Sequence, residues 1–383
     1  MAKKEQKVLI GMSGGVDSSV AAFLLQKEGY AVEGIFIDFV GTDKSNQDFQ
    51  KAQKVAKKFK IPIYKFDAQK EFKEKIIDKF VADYARGVTP NPCVICNSEM
   101  KFRILIEEAD RLGIEKVATG HYSRIEREFP NSNFQFPNAR LSTDGNYKIS
   151  NSKSGNKSCP LTVTDYRLLI ACDSNKDQSY FLYRLNQEQL ERIIFPLGEY
   201  LKSEVREIAQ VNNFELRDEK ESQDICFIAN NDFKNFIGKK IKDKSGEIVD
   251  KTGKKLGEHK GLHFYTIGQR KGINLGGDGP YYVIKKDGIK NQLVVSNNPE
   301  DLNCPDNYFE IGAVNWIFSD LAFPREAKVR VRYHSSEEYA IITEGKTGFY
   351  KVQLGKNQKA VTSGQSAVFY GDAGEVLGGG III

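Results

Sequence analysis

A doubly wound parallel α/β domain, followed by a small β-rich central domain and a C-terminal β-barrel, is predicted from three observations. In the first, residues 7–19 (KVLIGMSGGVDSS) pass from branched apolar residues through a glycine-rich turn to Val20, Ala21, Ala22, Leu24 and Leu25 at helical spacing. Strand, turn and helix start in that order aim backbone N–H groups and a positive helix end at one point, as an anion site requires. In the second, strand-like and helix-like segments alternate over the first half of the chain, which implies a parallel sheet covered on both faces. In the third, the texture changes near Asp232 to short, glycine-punctuated alternating runs, the pattern of small β modules.

Taken in order, 31–40 (AVEGIFIDFV) is a second buried strand, and 43–60 a helix with Phe49, Ala52, Val55 and Ala56 on one face. A third strand is predicted over 61–66, helices over 72–84 and 100–112, and a strand over 116–119 that ends in Gly120-His121-Tyr122. Ligands of such sheets collect at the carboxyl ends of the strands, so residues 11–18, Ile37, Gly120 and His121 should ring one crevice. Residues 126–157 are rich in Asn, Ser, Gly and Pro and are expected to form a long surface insertion. Helices follow at 187–194 and 202–211. The runs AKVRVRYH, YAIITEG, YKVQLG and QSAVFYG have the spacing of a barrel or sandwich, and Arg330, Arg332 and Tyr333 fall on one alternating strand with both arginines on the same face. The expected division is 1–229, 230–302 and 303–383.

Composition narrows the class. The 383 residues exceed a single core, and 28% charged with 40% hydrophobic residues describe an ordinary soluble chain. A net charge of +5 permits a nucleic-acid partner without demanding one. No apolar run reaches the length of a membrane span, and MAKKEQ runs straight into the first strand, leaving no room for a signal or transit peptide. Six cysteines make no disulfide framework here, so a reducing cytoplasm is expected.

The loop itself is specific. No lysine follows its glycines, which excludes a Walker A loop, and GxGxxG is absent. What stands is SGGxDS, which resembles the PP-loop of the ATP pyrophosphatases, enzymes of adenine-nucleotide alpha-hydrolase-like fold that adenylate a substrate and release pyrophosphate. The resemblance implies ATP binding by Gly11, Met12, Ser13, Gly14, Gly15, Val16, Asp17 and Ser18, joined by Ile37 and Gly120, with Asp17 helping to place Mg²⁺.

Two cysteine segments stand apart. Cys93 and Cys96 lie in TPNPCVICN (89–97), a double-proline turn before a helix, and Cys226 lies in ESQDICF (221–227). A thiol near a helix N-terminus is expected to have a lowered pKa. The CxxC pair is a redox pair, half of a metal site, or one catalytic thiol with a bystander; no second CxxC and no suitably spaced His supports structural zinc. Cys226 taken alone is a small buried hydrophobe, the commonest fate of a lone free cysteine. All three thiolates would suffice for an iron–sulfur cluster with an open site, a reading not favoured because a thiol relay needs only two. Cys159, Cys172 and Cys304 carry no motif.

These segments occur in one order with KDQSYFLY (176–183), YTIGQRKG (265–272) and VTSGQSAVFY (361–370). Together they resemble the tRNA-specific 2-thiouridylases, the MnmA/TrmU family, over essentially the whole chain. The resemblance implies a tRNA-uridine 2-sulfurtransferase. ATP would adenylate the C2 oxygen of the wobble uridine in tRNAs for Lys, Glu and Gln. A cysteine persulfide, charged by a sulfur-carrier protein or cysteine desulfurase, would then replace that oxygen with sulfur. On matching positions it implies Cys96 as the persulfide-bearing nucleophile, Cys226 as the resolving thiol, and a transient Cys96–Cys226 disulfide. Asn91, Pro92 and Cys93 would meet the target base; His121, Lys176, Asp177, Gln178, Arg332, Tyr333 and Gln365 would touch tRNA. Many relatives have Asp at the position of Cys93, which leaves the general base open here. A cytoplasmic monomer with no membrane partner is expected. Two other readings stay open: a PP-loop amidotransferase or ligase that uses no thiols, and an ATP-gated RNA-binding or sulfur-carrier scaffold without turnover.

Overall fold

The computed structural model describes residues 6–127, 139–141, 147–149, 166–214, 225–228, 232–273, 275–276 and 279–383. Five parallel strands lie in the order Ile63–Asp67, Ala31–Asp38, Lys7–Gly11, Lys116–Ala118, Ile193–Ile194. Strand order reverses between Lys7–Gly11 and Lys116–Ala118, and at such a switch point a crevice opens at the carboxyl ends. Alternate residues of the central strand serve opposite cores. Leu9 joins Ile35 and Val117 on one face, while Val8 and Ile10 join Phe36 and Ala118 on the other.

Several element boundaries differ from those expected, each for a local reason. The second strand stops at Asp38, whose Oδ1 accepts from Gly41 N–H at 2.9 Å and Ser45 Oγ–H at 2.6 Å and so turns the chain into helix Asp43–Phe59. The helix expected over 72–84 runs over 69–85 with a wide π-helical turn at Lys73–Ile77. The helix expected at 100–112 begins at Pro92 and continues to Arg111. Proline fits a first helical position because its missing N–H would be unpaired there anyway. Cys93 and Cys96 therefore stand within the helix, not in a turn before it, and the helix widens into a π-helical turn over Cys96–Phe102. The helix expected at 187–194 ends at Arg192, and Ile193–Ile194 becomes the fifth strand. Lys202–Val211 is helical as expected. Most of the expected 126–157 insertion lies outside the described residues; at its edges Arg124–Arg127 pairs with Tyr166–Leu169, and within it Ala139–Leu141 pairs with Tyr147–Ile149.

The central domain is a four-stranded sheet in the order Lys255–His259, Gly246–Val249, Gln292–Ser296, Tyr282–Asp287, with its own core of Ile248, Tyr265, Ile273, Val283, Leu293 and Val295. The C-terminal module is a closed six-stranded barrel: Tyr308–Trp316, Tyr350–Leu354, Glu338–Glu344, Arg325–Arg330, Ser366–Tyr370 and Val376–Ile382. Its strand of alternating basic residues ends at Arg330, so Arg332 and Tyr333 lie in the following turn and not on the strand as expected. One apolar cluster runs from Leu9 and Phe102 through Tyr180 and Tyr183 to Ile311, Val329 and Phe369. Barrel and α/β domain thus share a core. Among the described residues no helix is long and apolar enough to cross a membrane.

Candidate active site

The central strand delivers the chain to Met12, whose N–H still pairs with Ile35 O at 2.8 Å. The next residues fold back onto helix Val16–Lys27. Gly14 has a φ of +83°, and a Cβ there would strike the backbone of Asp48, so only glycine fits. Ser18 Oγ donates to Gly15 O at 3.1 Å and accepts from Ser13 N–H at 3.2 Å, and Ser19 Oγ donates to Gly15 O at 2.9 Å. These bonds hold the loop shape while the first-turn N–H groups keep no intrahelical partner. The result is a positively polarised rim suited to phosphate. A Cβ at Gly120 would lie 2.8 Å from Ser18 N, so the neighbouring strand can end against the loop only through glycine. Ile37, at the end of the next strand, packs, as do Phe39, Val40, Phe66 and Ile95, against the cluster of Ala68, Phe72, Ile76, Met100 and Ile104.

Asp17 is the loop's one carboxylate. Its Oδ1 accepts from Lys202 Nζ at 2.5 Å and from Tyr122 Oη–H at 2.8 Å. Lys202 is 8% exposed, and lysine is rarely so buried without a partner. Its backbone N–H donates to Asp173 Oδ2 at 2.9 Å, and Tyr122 presents its ring 5.6 Å from the ammonium. The sequence reading did not single out Lys202 or Tyr122. A signal existed for Lys202: a cation at the first position of a predicted helix opposes the helix dipole.

The three thiols lie close enough together that Cys226 raises the pKa of both Cys93 and Cys96. Cys96 follows Cys93 by about one helical turn and packs with Phe227 against Ala68, Phe72, Ile76, Met100 and Ile104. The Phe227 ring meets Phe72 at 5.8 Å and Phe80 at 5.2 Å, which fixes adjacent Cys226 beside that cluster. Cys226 is exposed and Cys93 and Cys96 are half-buried, yet the protein atoms packed around all three disfavour thiolate. Burial pushes Cys96 up to about 12, opposed by Lys101 and reinforced by Cys226 and Cys93. It lifts Cys93 to about 11, with Cys226 adding to the rise and Lys101 opposing it. Burial raises Cys226 as well, again against Lys101. The expected low-pKa thiol is thereby corrected: Cys96 lies past the first helical turn, where the dipole has faded and burial dominates.

Lys101 is a second residue that the sequence reading missed. Its Nζ donates to Asn97 Oδ1 at 2.9 Å and lies 3.5 Å from His121 Nε2. Burial first, then Lys101, holds His121 well below its ordinary pKa, and its Nδ1 pairs with Thr119 Oγ1 at 2.7 Å. A neutral imidazole results. Among the described residues no group of three or more His, Cys, Asp or Glu is arranged to hold a metal ion.

The residues expected at tRNA divide into two sets. Asp177 is buried and accepts from Ala171 N–H, Ser179 N–H, Ser179 Oγ–H and Arg330 Nη1 at 2.7–3.1 Å. Its carboxylate is engaged inside the protein by these bonds. Gln178 Oε1 accepts from Tyr122 N–H at 2.9 Å, and Gln365 Nε2 donates to Thr89 O at 2.9 Å. Both are braces. The Tyr333 ring packs 4.5 Å from Phe181, which leaves it only half-buried. Arg332 is exposed and Lys176 half-buried. Asn91 hydrogen-bonds Tyr180, whose hydroxyl donates to Ser366 O at 2.8 Å.

The tRNA methyl transferase HUP domain family matches residues 6–230, the tRNA methyl transferase PRC-barrel domain family 234–297, and the Aminomethyltransferase beta-barrel domain family 307–382. The chain is 40% identical over 394 residues to tRNA-specific 2-thiouridylase MnmA 2 of Clostridium tetani (strain Massachusetts / E88), covering 99% of each. It is 42% identical over 391 residues to tRNA-specific 2-thiouridylase MnmA 2 of Thermoanaerobacter sp. (strain X514), covering 98% of this chain and 97% of that one. A solved U34-tRNA thiolase NcsA from Methanococcus maripaludis aligns at a TM-score of 0.34 and 17% identity over 62% of this chain and 64% of that one, too distant to carry an argument. With end-to-end identity at this level to the two curated relatives, the chain belongs to the tRNA-specific 2-thiouridylase MnmA family.

Proposed function

We propose that this chain is an ATP-dependent tRNA-uridine 2-sulfurtransferase that thiolates C2 of the wobble uridine in tRNAs for Lys, Glu and Gln. The observation that carries the reading is a shared apolar cluster: Ile37, two residues past the Ile35 carbonyl that accepts from Met12 N–H, packs against the same buried residues as Cys96 and as Phe227 next to Cys226. In this reading the ATP loop and two thiols from distant parts of the chain serve one place.

A carbonyl oxygen is a poor leaving group. Attack of the uridine C2 oxygen on the α-phosphorus of ATP releases pyrophosphate and converts that oxygen into part of AMP. The Gly14–Ser18 rim holds the phosphates during this step, and Asp17 would hold a magnesium ion, which when bound would supply charge neutralisation at the phosphate oxygens. The outer sulfur of a Cys96 persulfide then bonds to C2. Cys226 attacks the Cys96 sulfur, the persulfide S–S bond breaks with its electron pair left on the transferred sulfur, and AMP departs as the C=S bond forms. A Cys96–Cys226 disulfide remains and is reset by an external thiol. Asn91, Pro92 and Cys93 flank the base, which leaves the anticodon stack to reach them. Lys176, Asp177, Gln178, Arg332, Tyr333 and Gln365, with His121 at the crevice, dock the tRNA, and Asp177, Gln178 and Gln365 also brace the surfaces that do so.

In this reading residues 1–229 carry catalysis, 230–302 connect, and 303–383 help seat tRNA, in a monomer working in the cytoplasm with a sulfur-carrier protein or cysteine desulfurase as donor. Incubation with tRNA transcript, ATP, Mg²⁺ and a persulfide source, followed by nucleoside mass spectrometry, tests it. 2-Thiouridine at the wobble position that depends on ATP is expected; its absence with all components present would defeat the reading.

A further inference from the structure

On the ATP reading of residues 11–18, we propose that Lys202 supplies the phosphate-binding cation of this loop, with Asp17 as its partner in the absence of nucleotide. The loop SGGVDS contains no lysine, whereas glycine-rich loops of the Walker type carry one that reaches the phosphates. A triphosphate brings several negative charges to a rim where Asp17 already adds another, and partial charges on N–H groups alone balance them poorly. Lys202 Nζ stands 2.5 Å from Asp17 Oδ1, inside the same helix-start region, although 185 residues separate the two in sequence. The fold supplies in space what the loop lacks in sequence.

The local construction suits an exchange of partners. The Lys202 main chain is fixed by Asp173 Oδ2 at 2.9 Å, while its four-carbon arm can swing its ammonium between neighbouring oxygens. Tyr122 Oη–H binds the same Asp17 oxygen at 2.8 Å and so keeps the carboxylate oriented when the ammonium turns away. Stability alone does not favour this placement. Lys202 is 8% exposed and stands at the first residue of helix Lys202–Val211, where a positive charge opposes the dipole.

Calorimetric titration of the full chain with Mg·ATP and, separately, with AMP tests the assignment. Wild-type protein should bind Mg·ATP; failure there would overturn the ATP reading itself, not the role of Lys202. Lys202→Met should weaken Mg·ATP binding by about tenfold or more, the scale of a lost charged hydrogen bond. AMP, which lacks the β- and γ-phosphates, should lose less than about threefold, and Lys202→Arg should keep Mg·ATP affinity within about threefold. Equal loss for both nucleotides, or loss for neither, would overturn the proposal. Should Lys202→Met fail to fold, Asp17→Asn offers a background with no unpaired carboxylate. There, adding Lys202→Gln should lower Mg·ATP affinity about tenfold further, and no further loss would overturn the assignment.

Discussion

Arg330 Nη1 lies 2.7 Å from Asp177 Oδ2, joining the C-terminal barrel to a loop of the α/β domain 153 residues earlier. The Asp177 side chain is 2% exposed, Arg330 also binds Glu337 at 2.7 Å, and the Tyr370 ring lies 4.6 Å from the guanidinium. Removing Asp177 leaves the mostly buried Arg330 with Glu337 alone and orphans the Ala171 and Ser179 N–H groups that donate to the carboxylate. Asp177→Ala is expected to lower unfolding free energy by about 3 kcal/mol in a denaturant titration. Unchanged stability would contradict this account of the pair.

Gln365 acts at the other junction. Gly364, at φ +90°, lets the barrel approach Val88 and Thr89, Thr89 N–H donates to Ser363 O at 3.1 Å, and Gln365 Nε2 reaches Thr89 O at 2.9 Å. These bonds brace the segment that leads into Asn91, Pro92 and Cys93. Gln365→Ala should cost about 1 kcal/mol of stability and slow thiolation while leaving the Kd for ATP as it was. A parallel loss of ATP affinity would show that the brace extends further than this.

The thiol environment makes a pH prediction. A thiol is protonated below its pKa, and only the thiolate is alkylated. With Cys96 pushed up to about 12, its alkylation by iodoacetamide at pH 8 should be on the order of a thousandfold slower than that of a free thiol. The rate should climb about tenfold per pH unit through pH 10, where a free thiol has already levelled off. Lys101→Met, by removing the charge that favours the thiolate, should slow it further. A plateau near pH 8.5, followed by peptide mass spectrometry at Cys96, would contradict the burial argument.

What could be read from the sequence was local. The strand, glycine turn and helix around Ser13–Ser18 appear as a contiguous pattern, as do Asp43–Phe59 and Lys202–Val211, because apolar spacing within one element carries the signal. The two-residue strand Ile193–Ile194 has no room for such a pattern and looked like the end of a helix. Pro92 was read as part of a turn, although proline is equally at home at a helix start. The pairs Asp17–Lys202 and Asp177–Arg330 are products of tertiary closure, with no periodicity to announce them. Burial at Cys96 reversed a pKa argument made from helix position alone, since the sequence does not say which face Phe227 will cover.

The most direct test of the central claim is a single-turnover reaction of persulfide-loaded protein with ATP, Mg²⁺ and tRNA, quenched with acid and alkylating agent. Nucleoside and peptide mass spectrometry are read on the same sample. The predicted result is one Cys96–Cys226 disulfide for each 2-thiouridine formed, with neither product in Cys96→Ser and no 2-thiouridine in Cys226→Ser. Full 2-thiouridine formation with both thiols still reduced, or normal turnover in either variant, would contradict the relay.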